Sequence, residues 1–167
     1  MLKLIALLAV GLVATPTRAE IIAASKDIIQ KAHFCTFITI GPDGQPQARV
    51  VDPLAPDASF TLWFATNPLT RKVGEIRKNA RATMSCFDSS TSSYVTVLGT
   101  AALVNDPAVK RAHWKADWDA IYPKGPASAE VLLVRLTPSR LEISSESRGM
   151  KNDPKTWLPL SIQFPGK

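Results

Sequence analysis

The tetrapeptide Gly41-Pro42-Asp43-Gly44 does most to limit what this chain can become. It separates two runs that read as strands, Phe34 to Ile40 and Gln47 to Val51. Glycine and proline at those places mark a tight turn. So short a link permits only antiparallel pairing, because parallel neighbours need a long crossover. Further strand-like runs follow at Phe60–Ala65, Ala82–Phe87, Tyr94–Val104, Val131–Leu136 and Arg140–Ser144, with Gly99 marking a bulge or kink. Helical patterning is confined to residues 20–32, the basic segment after Asn67, and a stretch from Asp106-Pro107 to about Ile121. Strands and helices do not alternate as βαβ units, which disfavours a Rossmann domain. The expectation is an α+β, mainly β fold, an antiparallel barrel with about three peripheral helices.

The first residues look like a leader. Lys3 precedes an apolar run from Leu4 to Ala14, and Thr17-Arg18-Ala19 puts small residues where a signal peptidase reads them. That is the pattern of a secretory signal peptide, residues 1–19, although a single membrane anchor is the other use of such a run. Cleavage after Ala19 would leave 148 of the 167 residues, enough for one domain with a sizeable core. We therefore expect an exported protein, periplasmic or secreted, with no membrane contact once the leader is gone. Lys3 and Arg18 leave with no acid, taking the formal net charge from +6 to +4. The excess is spread along the chain and makes no stripe for a nucleic acid.

Residues 65–79 carry the chemistry. Asn67 is a candidate N-cap, Pro68 suits the first helical position, and Thr70, Arg71 and Lys72 then crowd the first turn. Cations are repelled by the positive end of a helix dipole. An anion held jointly by these side chains and free backbone N–H groups would explain them. A solvated basic face on a short amphipathic helix would explain them too.

Cys35 and Cys86 both fall in strand runs; an exported setting permits a disulfide, and two buried thiols fit the same positions. His33 and His113 stand alone, so no metal-ligand spacing exists. Trp63 reads as core. Trp114 and Trp118 read as one helix face packed on the barrel, and His113 as a surface residue. No nucleophile–base set or carboxylate pair can be assembled.

In order and spacing these features resemble the pyridoxamine 5′-phosphate oxidase-like flavoproteins, the FMN-binding split barrels of Greek-key type, and especially their general-stress-protein branch. The resemblance spans about Ile21 to Ser144. It rests on Ala48-Arg49-Val50-Val51-Asp52, on Phe64-Ala65-Thr66-Asn67 leading to Thr70-Arg71-Lys72, and on Tyr94-Val95-Thr96-Val97-Leu98-Gly99. A fourth part is Trp118 to Gly125 with Val131–Leu136, Thr137-Pro138 and Leu141-Glu142. It implies a split-barrel domain over residues 20–145 and a C-terminal tail, 146–167, packed on or across it. It also implies FMN as cofactor, with Thr70, Arg71 and Lys72 toward the phosphate and Arg49 as a further phosphate or ribityl contact. Thr66, Val50 and Val51 would lie along the ribityl chain and ring, and Tyr94 near the ring. FAD, a deazaflavin or haem are the lesser alternatives. The family builds its flavin site across a subunit interface, so a homodimer is implied, as is two-electron transfer through the flavin to an unknown small-molecule partner. A flavin or haem carrier or sensor without catalysis is the rival reading.

Two departures argue against genuine pyridoxamine phosphate oxidation. Tyr94 stands where the vitamin-forming enzymes place a Gln, and the tail around Trp157 lacks their Trp and Arg arrangement. Trp157 would either cap a flavin or pin the tail to the barrel.

Overall fold

The computed structural model describes residues 15–165; most of the leader therefore lies outside the described residues. The chain opens with α1 (Arg18–Ala32), which buries Ile21, Ser25, Ile28 and Ile29 along one stripe. Thr17 caps it in a reciprocal box with Glu20. Arg18 Nη1 also donates to the carbonyl of Gln163 at 2.9 Å. The helix thus starts two residues earlier than the repeat of apolar residues predicts, because the cap lies inside the stretch read as leader.

Strands β1 (Cys35–Ile40) and β2 (Pro46–Val51) form the expected hairpin, register Cys35↔Val51 to Ile40↔Pro46. Gly44 takes φ 80°, which the turn requires and glycine allows. Then come β3 (Leu62–Thr66), α2 (Arg71–Lys78), β4 (Arg81–Asp88), β5 (Ser93–Val104), α3 (Pro107–Ala112), β6 (Leu132–Ser144) and β7 (Leu160–Gln163). The sheet runs β2-β1-β4-β5-β6-β3, with β7 also paired to β6. Every pairing is antiparallel. Its two ends, β2 and β3, do not meet, so the barrel is open. Phe37, Phe64, Met84, Val95, Leu133, Leu136, Leu141 and Ile143 fill the interior with essentially no exposure.

Three details depart from expectation. The two closing strands are one, β6, running through Thr137-Pro138. Proline survives there because the β5–β6 register already shifts at Leu98/Gly99, opposite Pro138, so no ladder bond is lost. A Cβ on Gly99 would lie 2.0 Å from the Thr137 carbonyl oxygen, which explains the glycine. The seventh strand comes instead from the tail. The long helix expected to reach Ile121 stops at Ala112, and Ala116–Ala120 forms a separate 3-10 segment. Tertiary contacts break it. His113 stacks on Trp63 at 4.1 Å rather than facing solvent freely, and Lys115 is drawn 2.6 Å from Asp52. Trp114 and Trp118 consequently meet edge-to-face at 5.5 Å instead of sharing a helix face.

The tail is held by β7 and by a turn in which the Asp153 carboxylate accepts from the Lys155 and Thr156 amides. Trp157 is 77% exposed and pins nothing. Cys35 and Cys86, left open between thiols and a bridge, form a disulfide.

Candidate functional site

The strand–helix junction after β3 is built differently from its sequence pattern. Asn67 caps a turn, not the helix: its Oδ1 accepts from the Leu69 amide and its carbonyl from the Thr70 amide. Pro68 lies in that turn, and α2 begins at Arg71 with Thr70 as N-cap residue. The asparagine carbonyl and side chain are both spent on the turn, which displaces the helix start by three residues.

This turn gathers polar groups. Lys72 Nζ donates to Thr66 Oγ1 at 2.9 Å, and the Thr66 and Thr70 hydroxyls are 3.1 Å apart. All three line a cavity of about 270 Å³. The rest of the lining is largely apolar, Phe34, Val50, Val51, Ala65, Trp118, Ile121 and Tyr122, with Asn67 and the Asp52 carboxylate, which Lys115 neutralises, among them. Burial lowers the Lys72 ammonium below the ordinary lysine range; the Arg49 guanidinium pushes the same way and the Glu75 carboxylate opposes them. Burial likewise raises the Tyr122 phenol.

Five of the eight residues singled out in the sequence, Val50, Val51, Thr66, Thr70 and Lys72, therefore meet at this cavity. Arg49, Arg71 and Tyr94 do not line it. Arg49 Nη2 sits 2.7 Å from Glu75 Oε2, and Arg71 Nε 3.2 Å from Glu75 Oε1. Tyr94 lies on the outer face of the sheet, opposite Phe87 and Ser144.

Sequence reasoning missed Glu75, Asp52 and the aromatic wall. Glu75 carried one signal, its position four residues after Arg71 on a helix. Asp52 carried none. It ends the β2 hairpin, accepts from Lys115 and from Trp118 Nε1 at 3.1 Å, and so fixes the aromatic segment beside the cavity. Trp118 and Tyr122 come from a loop whose path is set by that carboxylate.

The donors fit a phosphate group: one ammonium and two hydroxyls cluster in the lining of a largely apolar cavity of a size for an aromatic or aliphatic body. Three proteins of known structure share the architecture. A Clostridium acetobutylicum protein related to general stress protein 26 of B. subtilis superposes with TM-score 0.74 at 18% identity, covering 88% of this chain and 96% of that one. General Stress Protein 26 from Bacillus anthracis gives 0.67 at 16%, covering 86% and 98%. A heme-binding protein from Mycobacterium smegmatis gives 0.61 at 18%, covering 79% and 55%. At these identities the likeness is one of fold. No curated protein matches the sequence. The family model described as "Pyridoxamine 5'-phosphate oxidase like" matches residues 20–151. With that span, and with the open antiparallel barrel and its strand–helix junction in place, the chain belongs to the pyridoxamine 5′-phosphate oxidase-like family.

Proposed function

We propose that this protein binds FMN in the cavity beside α2 and works as a two-electron redox protein. The observation that carries this is the convergence of Lys72, Thr66 and Thr70 in the lining of a largely apolar cavity. The phosphate would lie on these three, with Arg71 reachable from the next helical position. Val50 and Val51 would face the ribityl chain and ring. Bound flavin would supply hydride-equivalent chemistry that no side chain here offers. The protein's part is to orient the group, exclude water with Trp118 and Tyr122, and hold its charge. Genuine pyridoxamine phosphate oxidation is not proposed, for Tyr94 and the tail depart from those enzymes.

Assembly as a homodimer is part of this reading. Phe34, Val50 and Phe87 are each more than half exposed on the outer sheet face. Register places them together, since Thr36 pairs with both Val50 and Ser85. A second copy packed there would cover them and bring Tyr94 toward its neighbour's cavity. Export is proposed from the leader pattern, and a disulfide suits an oxidising compartment. Release after Ala19 would remove the Thr17 cap, at a cost of about 1 kcal/mol.

The test is the absorbance spectrum of purified protein, followed by titration with FMN and riboflavin. A flavin spectrum and a clear preference for FMN are expected; equal affinity for the two would defeat the phosphate assignment. The rival reading, a flavin or haem carrier, gains support from the heme-binding neighbour. A Soret band, or bound flavin with no turnover on any acceptor, would favour it.

A further inference from the structure

Glu75 is a carboxylate set among cations and only 4% exposed. Its Oε2 is saturated, accepting from Thr39 Oγ1 and from Arg49 Nη2. Its Oε1 accepts no hydrogen bond among the described residues, although Arg71 Nε stands at ion-pair distance, 3.2 Å. The two arginines are held very differently. Arg49 is 17% exposed and its Nη1 donates to Thr39 as well, so it is fixed. Arg71 is 69% exposed and, among the described residues, has this one ionic contact. Lys72, on the same helical turn, reaches the cavity.

A buried carboxylate oxygen with an open lone pair beside a loosely held guanidinium is a competitor for that guanidinium. Any anion arriving at Lys72 meets a neighbouring cation, Arg71, that is already paired. A phosphate monoester carries about −1.5 to −2 at pH 7, more charge than one carboxylate can match.

We propose that Glu75, which lies beside the cavity and not in its lining, is a specificity-determining residue that holds Arg71 and yields it to an incoming phosphate monoester. Phosphate binding is then an exchange of one anion for another at Arg71, while Arg49 stays as the fixed counterion that keeps Glu75 in place. Glu75 lowers affinity for anionic ligands as a class. It leaves the uncharged part of the ligand untouched, because it does not line the apolar wall. This rests on the reading that the cavity takes a phosphorylated ligand.

The experiment compares full-length wild type with Glu75→Gln, which keeps the shape and an acceptor for Arg49 but removes the charge. FMN affinity should rise about ten-fold with riboflavin affinity unchanged, and inorganic phosphate alone should raise Tm more in the variant than in wild type. The gain should vanish in the Arg71→Ala/Glu75→Gln double variant, since the freed cation is then missing. An FMN-to-riboflavin ratio that stays level or falls in Glu75→Gln overturns the proposal. Should that variant not fold, Arg71→Ala alone decides: this exposed side chain can be removed without touching the core. Its loss should cost about ten-fold in FMN affinity and nothing in riboflavin affinity, and unchanged FMN affinity overturns the exchange. Wild type binding FMN and riboflavin equally would sink the phosphate reading and this proposal together. A wild-type preference for FMN that Glu75→Gln leaves untouched would sink the proposal alone.

Discussion

Cys35 and Cys86 face each other in register across β1 and β4, their Cα atoms 4.4 Å apart and their sulfurs bonded. The bridge is buried and closes a loop with a sequence separation of 51. A loop of that length implies stabilisation of about 2–4 kcal/mol, mainly by restricting the unfolded chain. Urea unfolding of the Cys35→Ser/Cys86→Ser variant should show a loss of that size, with flavin binding retained when the variant is folded. Two titratable thiols in denatured, unreduced wild type would contradict the bridge.

Lys72 should give ligand binding an alkaline limit. Its folded-state pKa is lowered, chiefly by burial. A phosphate partner favours the charged ammonium, so affinity is full below the lowered pKa and declines as pH rises through it. The decline should therefore begin earlier than for an ordinary lysine. Measured above pH 8, FMN affinity should fall with pH while riboflavin affinity stays level. Lys72→Ala should flatten that difference and cost about 1.5–3 kcal/mol, ten- to a hundred-fold in affinity for FMN. An identical slope for both ligands would remove Lys72 from the site.

Gly99→Ala should be among the most damaging single changes available. The added Cβ would meet the Thr137 carbonyl oxygen at 2.0 Å and the Pro138 Cα at 3.0 Å. Both belong to the backbone of β6 and cannot turn aside. We expect a loss of about 3 kcal/mol or more, read as a lowered Tm or as insoluble protein. A Tm within a degree or two of wild type would mean that β5 and β6 do not approach so closely.

Phe87→Asp should separate the proposed dimer without harming the barrel. Phe87 is 57% exposed on the outer sheet face, next to Cys86 in β4, and contributes nothing to the interior. Light scattering should give twice the chain mass for wild type and a single chain mass for the variant. A wild-type monomer that binds FMN normally would show that one copy completes the site.

Much of the fold was legible because its signals are local. The Gly41–Gly44 turn, the β-branched runs of β1 and β5, and the Asp106-Pro107 helix start each depend on residues close in sequence. The polar cluster at the cavity was legible for a similar reason: Thr66, Thr70 and Lys72 lie within seven residues and need only one strand–turn–helix to converge. Glu75 and Asp52 were not found. Their importance comes from partners such as Arg49, Lys115 and Trp118, which are far along the chain.

The sequence by itself determined an antiparallel, mainly β domain with a basic junction after its third strand, because turn chemistry and side-chain alternation act over a few residues. Tertiary structure alone decided the rest. It ended α3 at Ala112, where stacking on Trp63 and pairing with Asp52 outweigh helix continuation. It carried β6 through Pro138, because the shifted register at Gly99 leaves no bond for proline to break. It joined Cys35 to Cys86, which only the β1–β4 register brings together. And it divided three cations between a cavity and a carboxylate: Lys72 toward the cavity, Arg49 and Arg71 toward Glu75. That division follows from the burial of Glu75, since a carboxylate withdrawn from water must find its countercharge in the protein.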